Sequence, residues 1–210
     1  MIEKAFNLLD EPWIRVMMAD CTIQEVSLTQ ALTHAHTFTA LAGELPTQDV
    51  AILRLLLAVL HTVFSRVDET GAEHPLQNAD DALDRWEALW QAQQFPSEVI
   101  HAYLDAWHDR FYLFHPERPF YQVNEAAVGT EYTAAKLNGI ISESSNKNRV
   151  RLFAARSGTE KSSLSFPEAA RWLLHLNGYV TMTQIVSRIK RFKFICTIVN
   201  WAIVVRISNL

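Results

Sequence analysis

Apolar residues fall in short runs near the N-terminus and at helical spacing further along, and that change of period organises the chain. Phe6-Asn7-Leu8-Leu9 is a short run ended by Asp10-Glu11-Pro12. Residues 13–17 place β-formers around one arginine, and residues 22–26 set Ile23 and Val26 about Gln24-Glu25. With a turn at Asp20-Cys21, these segments predict a small N-terminal β meander. Ser27 stands where it would cap a helix over residues 28–36.

Pro46-Thr47-Gln48-Asp49 is a helix start, with Thr47 placed to cap and Asp49 in the electropositive first turn. Residues 50–67 are apolar nearly all round, which predicts a buried central strut. Asp68-Glu69-Thr70-Gly71 ends it. Asn78 caps a further helix with Leu83, Trp86, Leu89 and Trp90 on one face. Pro96-Ser97-Glu98 opens another, with Ile100, Tyr103, Leu104, Trp107 and Phe111 at helical spacing. Such aromatic stripes form core far more often than ligand platforms. Residues 111–123 read as extended and proline-punctuated, and residues 124–165 as mostly loop, an unusual length for a compact domain. Phe166-Pro167-Glu168 opens a last helix through residue 176. The fold class expected is α+β: a small N-terminal meander, a mainly helical core and a long irregular loop region.

Composition supports a packed core, at 49 % apolar and 20 % charged residues. The net charge of -4 argues against a generic nucleic-acid coat. Its distribution is uneven, because every acidic residue lies at or before Glu168. Arg171, Arg188, Lys190, Arg191, Lys193 and Arg206 follow. Cys21 and Cys196 lack disulfide or zinc spacing, and a reducing cytoplasm fits. The N-terminus has no signal-peptide pattern, and the apolar stretch 194–205 falls short of the ~20 residues a membrane span needs.

No phosphate-binding loop, dinucleotide fingerprint, HExxH or GxSxG is present, and no nucleophile has a base at a defined spacing, so neither an enzyme nor a cofactor is expected. His108-Asp109 admits a metal-dependent phosphohydrolase as an alternative, but a polar helix surface is the plainer reading and no metal site is expected. His34 and His36 point to different faces. His74 and His115 precede prolines as turn residues. The informative stretch runs from Asn146, Lys147, Asn148, Arg149 and Arg151 through Phe153, Ala154, Ala155 and Arg156 to Lys161. It carries five basic groups with no acid between Glu143 and Glu160. Cations neutralise phosphates, amides reach base edges, the alanines allow close backbone approach, and Phe153 can wedge or stack. A solvated basic loop fits the same composition.

Two segments carry a resemblance. Residues 6–16, FNLLDEPWIRV, and residues 111–123, FYLFHPERPFYQV, resemble the signatures of the CasA family, the large subunit of the type I-E Cascade complex of CRISPR immunity. The asparagine-rich loop before Phe153 and the Ala169-Ala170-Arg171-Trp172 helix follow in family order. The resemblance covers about residues 5–179. It implies a DNA-recognition subunit that senses the protospacer-adjacent motif in double-stranded DNA, chiefly from the minor groove, and helps load the target. Minor-groove readout is degenerate, so tolerance of several motifs is expected. The implied partners are the CRISPR RNA-containing Cascade subunits, duplex target DNA and a helicase-nuclease recruited later, with no membrane. The family's DNA-sensing loop would fall on Phe153, Ala154 and Ala155. This chain has Ala155 where a well-known pattern has Asn, with Arg156 next. Family members continue into a C-terminal helical bundle, so residues 1–179 are expected to form a truncated N-terminal part and residues 180–210 an atypical tail, read from a shifted frame. A non-functional remnant is the competing reading.

Overall fold

The computed structural model describes residues 6–122, 163–179, 185–189 and 192–196. The chain divides into two compact units, Met1–Leu113 and Phe114–Leu210.

The first unit begins with the meander. Strand β1 (Ile14–Met18) lies between β2 (Ile23–Val26) and β3 (Phe38–Leu41), both antiparallel to it. Ile14 pairs with Val26 and Met17 with Ile23 on one side; Val16 pairs with Leu41 on the other. Alternation along β1 turns Ile14 and Val16 into the core. The β1–β2 turn is shaped by Asp20, whose Oδ1 accepts from both the backbone N–H and the hydroxyl of Thr22, while Cys21 takes φ 63°. These contacts hold the Asp20 carboxyl below its ordinary range, the Thr22 hydroxyl foremost. The third strand of the sheet is β3, not the 6–9 run expected from the sequence. Residues 6–9 instead make an isolated bridge, Asn7 with Tyr112.

Helix α1 (Leu28–Thr33) starts on a full capping box: Gln30 N–H donates to Ser27 Oγ, and Gln30 Oε1 accepts from Ser27 N–H. It ends three residues earlier than predicted, where a 3-10 turn at Ala35–Thr37 leads into β3. Helix α2 (Pro46–Phe64) starts four residues before the apolar run and ends three residues earlier than expected. Proline occupies its first turn, where the missing N–H costs nothing. Thr47 does not cap it: Leu45 is the N-cap, with no side-chain bond. Asp49 reaches back instead, its Oδ1 accepting from Gly43 N–H at 2.8 Å. Burial pushes the Asp49 carboxyl above its ordinary range.

The strut reading of α2 holds for one face only. Ile52, Leu55, Val59 and Val63 are buried, but Val50, Leu53 and Leu57 are exposed. By length and composition α2 would also pass for a membrane span, yet half of that window is buried as a core helix would be. Helix α3 (Ala79–Ala92) is capped by Asn78, whose Oδ1 accepts from Asp81 N–H, and ends at Gln93 in the left-handed region. Helix α4 (Ser97–Ala106) packs on α1 and α2. It stops before His108, which lies in a 3-10 turn, His108–Arg110, so His108-Asp109 is not on the helix. Trp13, Ile14, Leu28, Ile52, Phe64, Ile100, Leu104 and Leu113 form the centre of the core.

In the second unit, residues 114–122 form turns, not a strand. His115 Nδ1 accepts from the N–H of Glu117 and of Arg118 at 3.1 and 3.0 Å. Helix α5 (Phe166–Tyr179) runs three residues past its predicted end. Glu168 Oε2 accepts from Ser165 N–H at 2.8 Å, and Ser165 Oγ accepts in return from Glu168 N–H, a second capping box. All residues from Ala169 to Leu176 are buried. The Trp172 and His175 rings meet edge-on at 5.2 Å. Strands β4 (Ile185–Ile189) and β5 (Phe192–Cys196) pair antiparallel, an element the sequence did not predict.

Candidate functional site

The first distinctive segment, 6–16, meets the opening residues of the second, 111–113, within the first unit. Leu8 N–H donates to Phe111 C=O at 3.0 Å, and Leu113 N–H donates to Phe6 C=O at 2.8 Å. Asn7 is the buried centre of this joint. Its Oδ1 accepts from Leu9 N–H at 2.9 Å, which bends the chain into the turn before Pro12. Its Nδ2 donates to His108 C=O at 3.2 Å and lies against the His108 ring nitrogens. His108 Nε2 in turn pairs with Asp10 Oδ2 at 2.8 Å, and its ring packs edge-on to Tyr112 at 5.6 Å. Trp13, fully buried, donates from Nε1 to Leu8 C=O at 2.9 Å and so fixes the same turn from below. The arrangement is a clasp. Asp10 and His108 are both substantially exposed, so their ion pair adds little beyond orientation.

This geometry bears on the phosphohydrolase alternative. His108 is engaged by Asn7 and Asp10, while Asp109 is exposed on the 3-10 turn. Among the described residues, no group of three or more His, Cys, Asp or Glu side chains is placed to hold a metal ion. His34 closes α1 with its ring bonded to the Thr33 hydroxyl, and His74 bonds Arg85. His34, His74, His108 and His115 therefore each have a local structural partner.

A second polar centre was invisible in the sequence. Arg85 of α3 is 5 % exposed. Its Nη1 donates to the carbonyls of Phe64, at 3.0 Å, and Val67. Its Nη2 donates to His74 C=O at 3.1 Å and to His74 Nδ1 at 2.8 Å. One guanidinium thus satisfies the carbonyls left open where α2 ends and places a positive charge at the negative end of that helix. Arg85 sits between Asp84 and Trp86 in a charged helix, and nothing local marks it as buried.

A cavity of about 350 Å³ lies between the end of α2, the 68–71 turn and α4. Thr62, Arg66, Gly71, Val99 and Tyr103 line it. Burial raises the Tyr103 hydroxyl above its ordinary value. Gly71, at φ 87°, lets the turn press on Val99, where a Cβ would come within 3.1 Å. The polar groups on its walls are the Tyr103 phenol, the Arg66 guanidinium, the Glu98 carboxylate and the hydroxyls of Thr62 and Thr70.

The expected DNA-contacting residues, Asn146, Lys147, Asn148, Arg149, Arg151, Phe153, Ala154, Ala155, Arg156 and Lys161, lie outside the described residues.

The model of the family described as CRISPR-associated protein Cse1 matches residues 7–192, beginning at the clasp asparagine. The chain belongs to the Cse1 family. CasA/Cse1 of Thermus thermophilus is 36 % identical over 169 residues, covering 80 % of this chain and 30 % of that protein. The crystal structure of Thermobifida fusca Cse1 superposes with a TM-score of 0.58 at 33 % identity, covering 82 % of this chain and 30 % of that one. A chain of a CRISPR RNA-guided surveillance complex shares the fold, with a TM-score of 0.60 at 23 % identity over 83 % of this chain. The CasA resemblance of the two signature segments is thereby confirmed, as is the α+β class. This chain spans about 30 % of the length of these Cse1 relatives.

Proposed function

We propose that this chain is a DNA-recognition component of a type I-E CRISPR RNA-guided surveillance complex. In this reading it senses the protospacer-adjacent motif of double-stranded DNA, helps load the target and performs no chemistry of its own. The observation that carries it is the Cse1 family match across residues 7–192, which includes the basic stretch. Lys147, Arg149, Arg151, Arg156 and Lys161 would neutralise phosphates, and Asn146, Asn148 and the backbone about Ala154-Ala155 would approach base edges. Phe153 would wedge or stack beside them. Its partners would be the CRISPR RNA-bearing Cascade subunits, target duplex and a later helicase-nuclease, in the cytoplasm. The division between residues 1–179 and a distinct tail, 180–210, belongs to the same proposal; the family match enters that tail as far as residue 192.

Co-expression of the whole chain with the other Cascade subunits and CRISPR RNA tests this reading. The chain should co-purify, and the assembly should shift a duplex carrying the motif. Replacing Phe153 and Arg156 together by alanine should weaken that shift at least ~10-fold. Failure to co-purify, or unchanged affinity in the double variant, would sink the proposal.

A further inference from the structure

The cavity between the end of α2, the 68–71 turn and α4 has no part in the proposed function. Its volume of about 350 Å³ falls at the small end of the ~300–1,000 Å³ typical of ligand sites. Its apolar lining comes from Val63 and Val67, at and just past the end of α2, and from Val99 and Ala102 on α4. Two of its polar groups are committed to the protein. The Thr62 hydroxyl donates to Ala58 C=O at 2.7 Å, and the Thr70 hydroxyl to Asp68 Oδ1 at 2.7 Å. Arg66 and Glu98 differ. Both are exposed, and among the described residues neither side chain enters a hydrogen bond or an ion pair. They line one cavity yet stand beyond ion-pair distance of each other.

Helix dipoles favour each charge where it lies. Glu98 is in the first turn of α4, and Arg66 just follows the last turn of α2. That accounts for the signs but leaves both hydrogen-bonding heads open. The pair also restricts what could bind. A phosphate or dicarboxylate would set excess negative charge against Glu98, and a polyamine excess positive charge against Arg66. A ligand with one carboxylate, one ammonium and an apolar body meets neither penalty. Guanidinium forks onto carboxylate, and a carboxylate accepts from ammonium. We propose that this cavity binds a free α-amino acid with an apolar side chain, its carboxylate on Arg66, its ammonium on Glu98 and its side chain against Val63, Val67 and Val99. Burial keeps the Tyr103 hydroxyl protonated, so it stays a donor available to the ligand carboxylate.

Titration of the whole chain with L-phenylalanine, followed by methyl NMR, tests this assignment. The Val63, Val67 and Val99 methyls should shift, with a Kd on the order of 1 mM or tighter for a ligand of about twelve non-hydrogen atoms. Phenethylamine lacks the carboxylate and 3-phenylpropanoate lacks the ammonium, so each should bind about 5-fold more weakly. Arg66→Gln should bind phenylalanine and phenethylamine alike. Glu98→Gln should bind phenylalanine and 3-phenylpropanoate alike. Both residues are exposed, so both variants should keep the circular dichroism spectrum of the parent chain. No methyl shifts at concentrations well above that Kd, shifts confined to other methyls, or equal affinity for the three compounds overturns the proposal. So does a variant that keeps the parent's discrimination. Neither CRISPR RNA nor DNA enters the titration, so its outcome is independent of the proposed function.

Discussion

Replacing Arg85 by methionine should destabilise the first unit by about 3 kcal/mol. Arg85 is 5 % exposed and directs four hydrogen bonds, to the Phe64, Val67 and His74 carbonyls and to His74 Nδ1. Charged hydrogen bonds contribute ~1.5–3 kcal/mol each, so independent bonds would exceed 6 kcal/mol. They are not independent, since one guanidinium makes them all. Removing that ion also releases a desolvation penalty of several kcal/mol. The net loss is set by the carbonyls left facing an apolar stem, at ~1–3 kcal/mol each with partial relaxation. Lysine keeps the charge but cannot fork between Val67 and His74, and should lose about half as much. Urea unfolding followed by far-ultraviolet circular dichroism measures both. With a slope of ~2 kcal/mol per M, the midpoint should fall by about 1.5 M for Arg85→Met and about 0.7 M for Arg85→Lys. A shift below ~0.3 M for methionine, or equal shifts for both, would refute the view that the forked geometry holds the end of α2.

Four further outcomes follow from the geometry. Asn7→Ala should cost about 2 kcal/mol and raise hydrogen exchange at the Leu8 and Leu113 amides, which cross the joint; unchanged protection there would dismiss the clasp. Gly43→Ala places a Cβ 2.6 Å from Asp49 Oδ1, so it should displace that carboxylate and lower the Tm by a few degrees, about 1 kcal/mol, with no fall arguing that the loop yields freely. The Asp68 carboxyl is held below its ordinary range, first by the Thr70 hydroxyl and then by the Ala72 and Thr70 amides. Because its folded value is depressed, the stability it contributes is present above the unfolded carboxylate range and lost as pH falls through the folded value. Stability–pH curves of the protein and of Asp68→Asn should therefore converge at low pH, and parallel curves would count against this account. If all five basic groups between Lys147 and Lys161 contact phosphates, binding should fall with a log–log salt slope steeper by about 4.5 than in a variant neutral at all five, and an equal slope would remove the loop from the interface.

The elements legible in the sequence are those specified locally. Ser27, Asn78 and Pro96 mark helix starts because capping chemistry acts within three residues, and the structure has a helix at each. What escaped reading depends on distant partners. Strand β3 pairs with β1 across β2, α1 and the 3-10 turn, and its half-exposed Phe38-Thr39-Ala40-Leu41 shows no alternation. Thr47 has the right chemistry for a cap, but the helix starts two residues too early for it to serve. The exposure of Val50, Leu53 and Leu57 on α2 was hidden because a helix apolar nearly all round reads as buried on every side. Asn7 looked like part of an apolar run, and His108 like helix surface, until the fold brought them together. The basic stretch was legible as chemistry, though the same composition fits a solvated loop.

The clasp also sets an order of events during synthesis. Asn7 and His108 stand 101 residues apart, so Asn7 emerges well before its partner in the clasp. At ~5–20 residues per second it waits roughly 5–20 s for residues 108–113. Joining ends that far apart costs about 4 kcal/mol of chain entropy, which a few hydrogen bonds do not offset until α1, α2 and α4 have drawn them near. The β1–β2 hairpin and the capped helices can assemble while the ribosome is still working. The unit is sealed last, at its own beginning, and a nascent chain halted before Leu113 exposes Leu8 and Trp13 to whatever chaperone attends the exit tunnel.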